Sequence, residues 1–169
     1  VVAGRRGGGR AGRTMITFRE MREADLSAVL ENELRAYTYP WTLGNFRDCL
    51  AERKDCRVAE LEGQIIGHGV TSVGAGEAHI LNVCISRDRQ GHGFGRALLA
   101  HLLDRARLLG AELVFLEVRV SNRVAVELYE SAGFNAIGLR RNYYPAAFGH
   151  EDAQVMALDL RSELVHGKG

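Results

Sequence analysis

Three apolar runs follow one another in this chain with only tight turns between them, and no helix fits into the gaps. Arg57 to Leu61, Gln64 to Ser72 and Ala78 to Ile85 are joined by Glu62-Gly63 and by Gly74-Ala75-Gly76. Short apolar runs bounded by turn-forming residues predict consecutive antiparallel strands. A doubly wound parallel sheet needs a crossover between successive strands, so this meander excludes it. Helical patterns flank it on both sides. Before it, Leu26, Val29, Leu30 and Leu34 form an apolar stripe within Glu23 to Ala36, Pro40 breaks the pattern, and Thr42 is the N-cap of a second helix reaching about Lys54. After it, Leu98, Leu99, Leu102, Leu103, Ala106 and Leu109 form a buried stripe within Ala97 to Leu109, which Gly110 ends.

The remaining elements complete a mixed order. Ile16 to Met21 is a first short strand, and Leu113 to Val120 is a strand after the long helix. Ser121-Asn122 caps a helix to Ala132 that stops at Gly133, and Phe134 to Leu139 and Gln154 to Leu160 are the last strands. The order β-α-α-β-β-β-α-β-α-β-β predicts an α/β (α+β) domain, a mixed sheet with helices on both faces.

Composition removes several function classes. Lys plus Arg (22) nearly balances Asp plus Glu (21) in 169 residues, so no broad field draws the chain to nucleic acid or membrane. No apolar run approaches the roughly 20 residues a membrane-spanning helix needs. The three cysteines, Cys49, Cys56 and Cys84, have no C-x-x-C spacing, which fits a reducing, cytoplasmic setting. The six histidines form no metal-binding pattern, and no metal is expected. Val1 to Thr14 carries four arginines among glycines with no acidic residue. Such a stretch cannot order itself, so a tail over 1–14, a single domain over 15–161 and a short flexible tail over 162–169 are expected.

The chemistry starts at Gln90-Gly91-His92-Gly93-Phe94-Gly95-Arg96, between the strand ending at Ile85 and the long helix. A glycine-rich turn into a helix N-terminus presents free backbone N–H groups at the positive end of the helix dipole, a seat for phosphate oxygens. The spacing is neither the P-loop nor the dinucleotide fingerprint. By itself the loop leaves two readings open, a phosphate site or merely a tight turn.

A Q-x-x-G-x-G loop after the fourth strand, in this element order, resembles the GNAT acetyltransferase family from Ile16 to Leu160. The resemblance implies the GNAT fold, with a mostly antiparallel central sheet of about six or seven strands. It implies acetyl-CoA as co-substrate, its pyrophosphate on Gly91, His92, Gly93, Phe94, Gly95 and Arg96. It also implies that backbone groups of Val83, Cys84 and Ile85 pair with the pantetheine arm. A second segment, Leu116-Glu117-Val118-Arg119-Val120-Ser121-Asn122 with Ala125, Leu128-Tyr129-Glu130 and Gly133-Phe134, narrows the likeness to bacterial protein N-terminal acetyltransferases. Arg140 to Pro145, Glu151-Asp152-Ala153 with Met156, and the turn Tyr39 to Thr42 add to it. The implied acceptor is the N-terminal alanine of a small-subunit ribosomal protein, the eighteenth in conventional naming. The implied setting is a cytoplasmic monomer without direct nucleic-acid or membrane contact.

Glu117 stands in an otherwise apolar strand, where an isolated carboxylate is costly unless partnered or functional. It is the candidate general base; alternatively it lies at the sheet surface or pairs with Arg119, which alternation puts on the same face. Tyr129 is the candidate acid for the CoA thiolate, or else a core aromatic. Asn122 is an N-cap to which the resemblance adds a hydrogen bond to CoA. Glu33, Arg35, Tyr39 to Thr42 and Asn142-Tyr143-Tyr144 are candidate walls of a peptide groove, with Trp41 a core anchor. Two further functions stay open: acetylation of lysines or a small amine, and a non-catalytic acyl-CoA-binding module on ribosome or RNA.

Overall fold

A computed structural model of the chain describes residues 15–162, and the expectations for 1–14 and 163–169 lie outside the described residues. The elements are β1 (Thr17–Glu20), a 3-10 turn (Glu23–Asp25), α1 (Leu26–Ala36), α2 (Leu43–Ala51), β2 (Asp55–Leu61), β3 (Gln64–Gly74) and β4 (Glu77–Ile85). A second 3-10 turn (Arg87–Arg89), α3 (Phe94–Leu108), β5 (Leu113–Arg119), α4 (Arg123–Ser131), β6 (Asn135–Pro145) and β7 (His150–Asp159) follow. The strands form one seven-stranded sheet in the order β1-β2-β3-β4-β5-β7-β6, antiparallel throughout except for the β4–β5 pair.

The expected element order is the observed one, and the meander turns explain themselves. Glu62-Gly63 and Ala75-Gly76 all have positive φ (52°, 75°, 53°, 78°), the two-residue turn whose twist matches that of the flanking strands. Thr42 caps α2 by accepting from the Asn45 N–H at 3.1 Å. Two stripe positions differ from expectation: Leu34 and Leu109 are 56% and 46% exposed. On α1 the inward position after Leu26, Val29 and Leu30 falls to Glu33, which is buried, because one helical turn beyond Val29 and Leu30 is reached at 33 rather than 34. On α3 the inward stripe ends at Ala106.

Helices cover both faces of the sheet. Leu98, Leu99, Leu102 and Leu103 of α3 pack with Val114, Leu116, Val118 and Met156, and α4 adds Val126 and Leu128 to that side. Val29 of α1 and Phe46 and Cys49 of α2 pack with Val58 and Val70 on the other. Gly69 sets how closely α3 approaches: a Cβ there would lie 2.6 Å from Cδ1 of Leu102.

One feature of the sheet makes room for a ligand. β4 and β5 pair only from Glu77 with Leu113 to Ile80 with Leu116. Beyond that point β4 runs on to Ile85 and β5 to Arg119 without pairing, so the sheet splits into a wedge. The glycine loop and α3 begin at the end of the β4 arm.

Candidate active site

The loop is built around two glycines that need left-handed backbone. Gly91 and Gly93 have φ of 79° and 82°, and Gly93 is the residue before α3. The helix starts three residues earlier than the apolar pattern indicated, so Phe94, Gly95 and Arg96 form its first turn, where N–H groups have no acceptor within the helix. The Gln90 side chain ties the loop back to the strand by donating to the Ile85 carbonyl at 3.0 Å. His92 stacks parallel on Phe94, with ring centroids 6.1 Å apart, and its Nδ1 lies 2.9 Å from the Gln90 carbonyl.

On the β4 arm, the Val83 carbonyl accepts a hydrogen bond from the Tyr37 hydroxyl. With Ile85 held by Gln90, the Val83 and Ile85 carbonyls, on the stretch expected to pair with a pantetheine arm, both have partners already. Cys84 is buried, its Sγ 3.8 Å from the Asn32 carbonyl, and burial pushes its thiol far above the ordinary range. It is a core residue and not a nucleophile.

Glu117 lies on the β5 arm just past the split. Val114, Leu116 and Val118 enter the α3 core, so alternation turns Glu117 to the opposite face, and Ala78 and Ile80 in that core turn His79 the same way. Their side chains meet: His79 Nε2 contacts Glu117 Oε2, and Arg140 Nε lies 3.3 Å from Oε1. The Glu117 side chain is only 8% exposed. The surface position and the pairing with Arg119 are therefore both corrected. Arg119 instead binds the Pro145 carbonyl at 2.7 Å and Glu151 at 3.4 Å, its guanidinium between the Tyr39 and Tyr144 rings. Ser72, Gly74, Glu77, Phe115 and Val155 complete a cleft of about 450 Å³ around His79, Glu117 and Arg140.

Tyr129 projects from α4, which Asn122 caps by accepting from the Ala125 N–H at 3.2 Å. It packs edge-on against Phe134 with centroids 5.8 Å apart, and burial pushes its hydroxyl up to about 12. Burial likewise pushes Tyr144 up to about 12, with smaller contributions from Tyr143, Glu117 and Tyr129, so Tyr144 stands within electrostatic reach of both candidate catalytic groups. Burial raises Tyr37 as well, and Tyr129 and Tyr144 add to the effect. Three tyrosine hydroxyls thus gather at the wedge.

Of the expected groove walls, Tyr39 and Tyr144 come together around Arg119, and Arg35 reaches Asp88 at 3.1 Å on the surface. Glu33 is corrected to an interior residue. Its carboxylate accepts from Trp41 N–H and Asn82 Nδ2, both at 3.1 Å, and meets His68 Nε2 at 2.8 Å. Trp41 anchors against Phe46 at 5.2 Å. Donor atoms of Glu33, His68 and Cys84 lie within 4.8 Å of one another; a cation there would have to displace these hydrogen bonds. Sequence reasoning missed both glutamate–histidine pairs. His79 could have been found by placing β4 beside β5 and alternating inward and outward residues along each, but their register is not written in either strand alone.

The acetyltransferase (GNAT) family pattern matches residues 18–134, well over half of the chain. The chain belongs to the GNAT acetyltransferase family. It is an acyltransferase, and its relatives cover nearly the whole domain. The ribosomal protein bS18-alanine N-acetyltransferase of Escherichia coli K12 is 40% identical over 146 residues, 86% of this chain and 99% of that protein. The enzyme of the same name from Haemophilus influenzae is 35% identical over 148 residues, 86% of this chain and 100% of its own length. The crystal structure of the E. coli ribosomal-protein-S18-alanine N-acetyltransferase superposes with a TM-score of 0.81, covering 86% of this chain and 94% of that one. This GNAT chain has the seven-stranded mixed sheet described above, and among its described residues no helix is long and apolar enough to cross a membrane.

Proposed function

We propose that the protein transfers the acetyl group of acetyl-CoA to the N-terminal alanine of ribosomal protein bS18. The observation that carries this is the 40% identity to the E. coli enzyme over 99% of that enzyme's length. Acetyl-CoA fits the residues present. Open space lies where a Cβ would stand at Gly91 and Gly93, so backbone can approach a pyrophosphate at the amides of Gly91, His92, Gly93, Phe94, Gly95 and Arg96. The edge of Val83, Cys84 and Ile85 that faces the wedge has no strand beside it, which suits an extended pantetheine arm. Asn122, at the start of α4, holds CoA from the other arm.

Bound there, acetyl-CoA supplies the thioester. Glu117 serves as base for the α-ammonium of the incoming peptide, and the freed amine attacks the thioester carbonyl directly. An α-amine, with an ordinary pKa near 8, needs only modest assistance. Tyr129 gives its hydroxyl proton to the departing thiolate; a hydroxyl held near 12 keeps that proton at working pH. No covalent enzyme intermediate and no metal are part of the reaction. The protein acts as a cytoplasmic monomer, in a domain running from Met15 to 161.

The test is a peptide with a free N-terminal alanine and one internal lysine, incubated with acetyl-CoA and mapped by fragmentation mass spectrometry. Acetyl on the alanine nitrogen alone is expected. Acetyl on the lysine alone, or CoA binding without transfer, would sink the proposal.

A further inference from the structure

The carboxylate assigned as base has both of its oxygens engaged. Arg140 stands at Oε1 and His79 Nε2 at Oε2. A close contact between an imidazole nitrogen and a carboxylate oxygen needs a hydrogen between them, so Nε2 carries one and the neutral ring keeps its lone pair on Nδ1. Among the described residues Nδ1 makes no hydrogen bond, and His79 is 38% exposed in the cleft while Glu117 is 8% exposed. The atom with a free lone pair and access to the solvent of the cleft therefore belongs to the histidine.

Resting on the function proposed above, we infer that the base is the His79–Glu117 pair and that the proton leaving the α-ammonium lands on Nδ1 of His79. Glu117 then fixes the tautomer and neutralises the imidazolium, as a carboxylate does behind the histidine of a hydrolase triad. The balance of the reaction closes. The ammonium gives one proton to Nδ1, and the amine lone pair forms the C–N bond. As the C–S bond breaks, the thiolate takes the Tyr129 proton. The second proton on the new amide nitrogen restores the tyrosine, and Nδ1 returns its own to solvent through the open cleft. The other titratable groups lining the cleft are Arg140 of β6 and Glu77 of β4; β3 offers Ser72 and Gly74 and β7 offers Val155, none of which titrates.

His79→Gln separates this role from mere positioning. Glutamine can still donate to Glu117 but has no nitrogen that accepts a proton. Turnover of an alanine-initiated peptide is measured from pH 6 to 9.5, with His79→Ala assayed with and without added imidazole. We expect His79→Gln to be about 100-fold slow at pH 7 with the KM for acetyl-CoA unchanged. The deficit should shrink to a few-fold by pH 9.5, where the amine is already free, and imidazole should partly restore His79→Ala. Parent-like turnover of His79→Gln at pH 7 would overturn the inference and leave Glu117 as sole base. A deficit equal at every pH, with no imidazole rescue, would overturn it in favour of a packing role. A parent inactive on the alanine peptide overturns the proposed function itself, an outcome seen before any variant is made.

Discussion

Glu33 and His68 meet inside the fold, between α1 and β3, whereas Glu117 and His79 meet at the wall of a cleft. The chemical pair is the same, and the surroundings divide them. Glu33 and His68 are 2% and 0% exposed, and the carboxylate also takes hydrogen bonds from Trp41 and Asn82. Every donor there is tied to a different segment, so the cluster holds the Tyr39–Trp41 turn and α1 onto the sheet. At Glu117 both carboxylate oxygens also have a partner, but its histidine is 38% exposed at the cleft. Among the described residues both histidines leave Nδ1 without a partner, but only the one that opens to the cleft can exchange a proton with what enters it; the one sealed in the interior fixes conformation.

The comparison can be broken at either end. The largest effect on stability is expected from Glu33→Ala, which strands the Trp41 N–H, Asn82 and His68 inside the fold. Removing one member of a buried charged network costs about 3–5 kcal/mol, or a fall in Tm of about 10 °C for a chain of this size, measurable by calorimetry. A loss of activity at full stability would erase the distinction between the clusters. Tyr129→Phe should act oppositely, with Tm nearly unchanged and kcat lower by about 10- to 100-fold. Because burial favours the neutral hydroxyl and raises its pKa to about 12, the parent kcat should stay level between pH 8 and 10.5. An unshifted tyrosine would lose its proton through about 10 and take the rate down with it.

Gly67→Ala probes the β4 arm itself. The added Cβ would lie 2.8 Å from the Cys84 carbonyl and 2.7 Å from the Ile85 side chain. Overpacking of this kind costs about 1–3 kcal/mol, and here it should also raise the KM for acetyl-CoA, since it displaces Val83 to Ile85. The smallest effect is expected of Tyr37→Phe, whose hydroxyl feels both Glu33 and Tyr129. It frees the Val83 carbonyl, a change of about 1 kcal/mol, so acetyl-CoA KM should move by a few-fold and Tm by no more than a few degrees. A large change in both would mean that the two clusters act as one.

Much of this was legible in the sequence, for identifiable reasons. The meander, the caps at Thr42 and Asn122 and the glycine loop rest on local turn and capping chemistry, and all appear where expected. Glu117 drew notice because a carboxylate in an apolar strand needs an explanation. Its partners did not, since His79 and Arg140 come from β4 and β6 and meet it only through sheet order and register. Glu33 hid for a related reason. Leucine at 34 is the better apolar residue, yet the helix turns the glutamate inward, where three donors from distant segments make its burial tolerable.

The most direct measurement is Glu117→Gln, assayed for kcat on an alanine-initiated peptide and for Tm in the same preparation. A carboxylate that serves the chemistry at an open cleft should give a kcat at least 100-fold lower, with Tm within a few degrees of the parent. Parent-like kcat, or a fall in Tm as large as that expected for Glu33→Ala, would contradict the account.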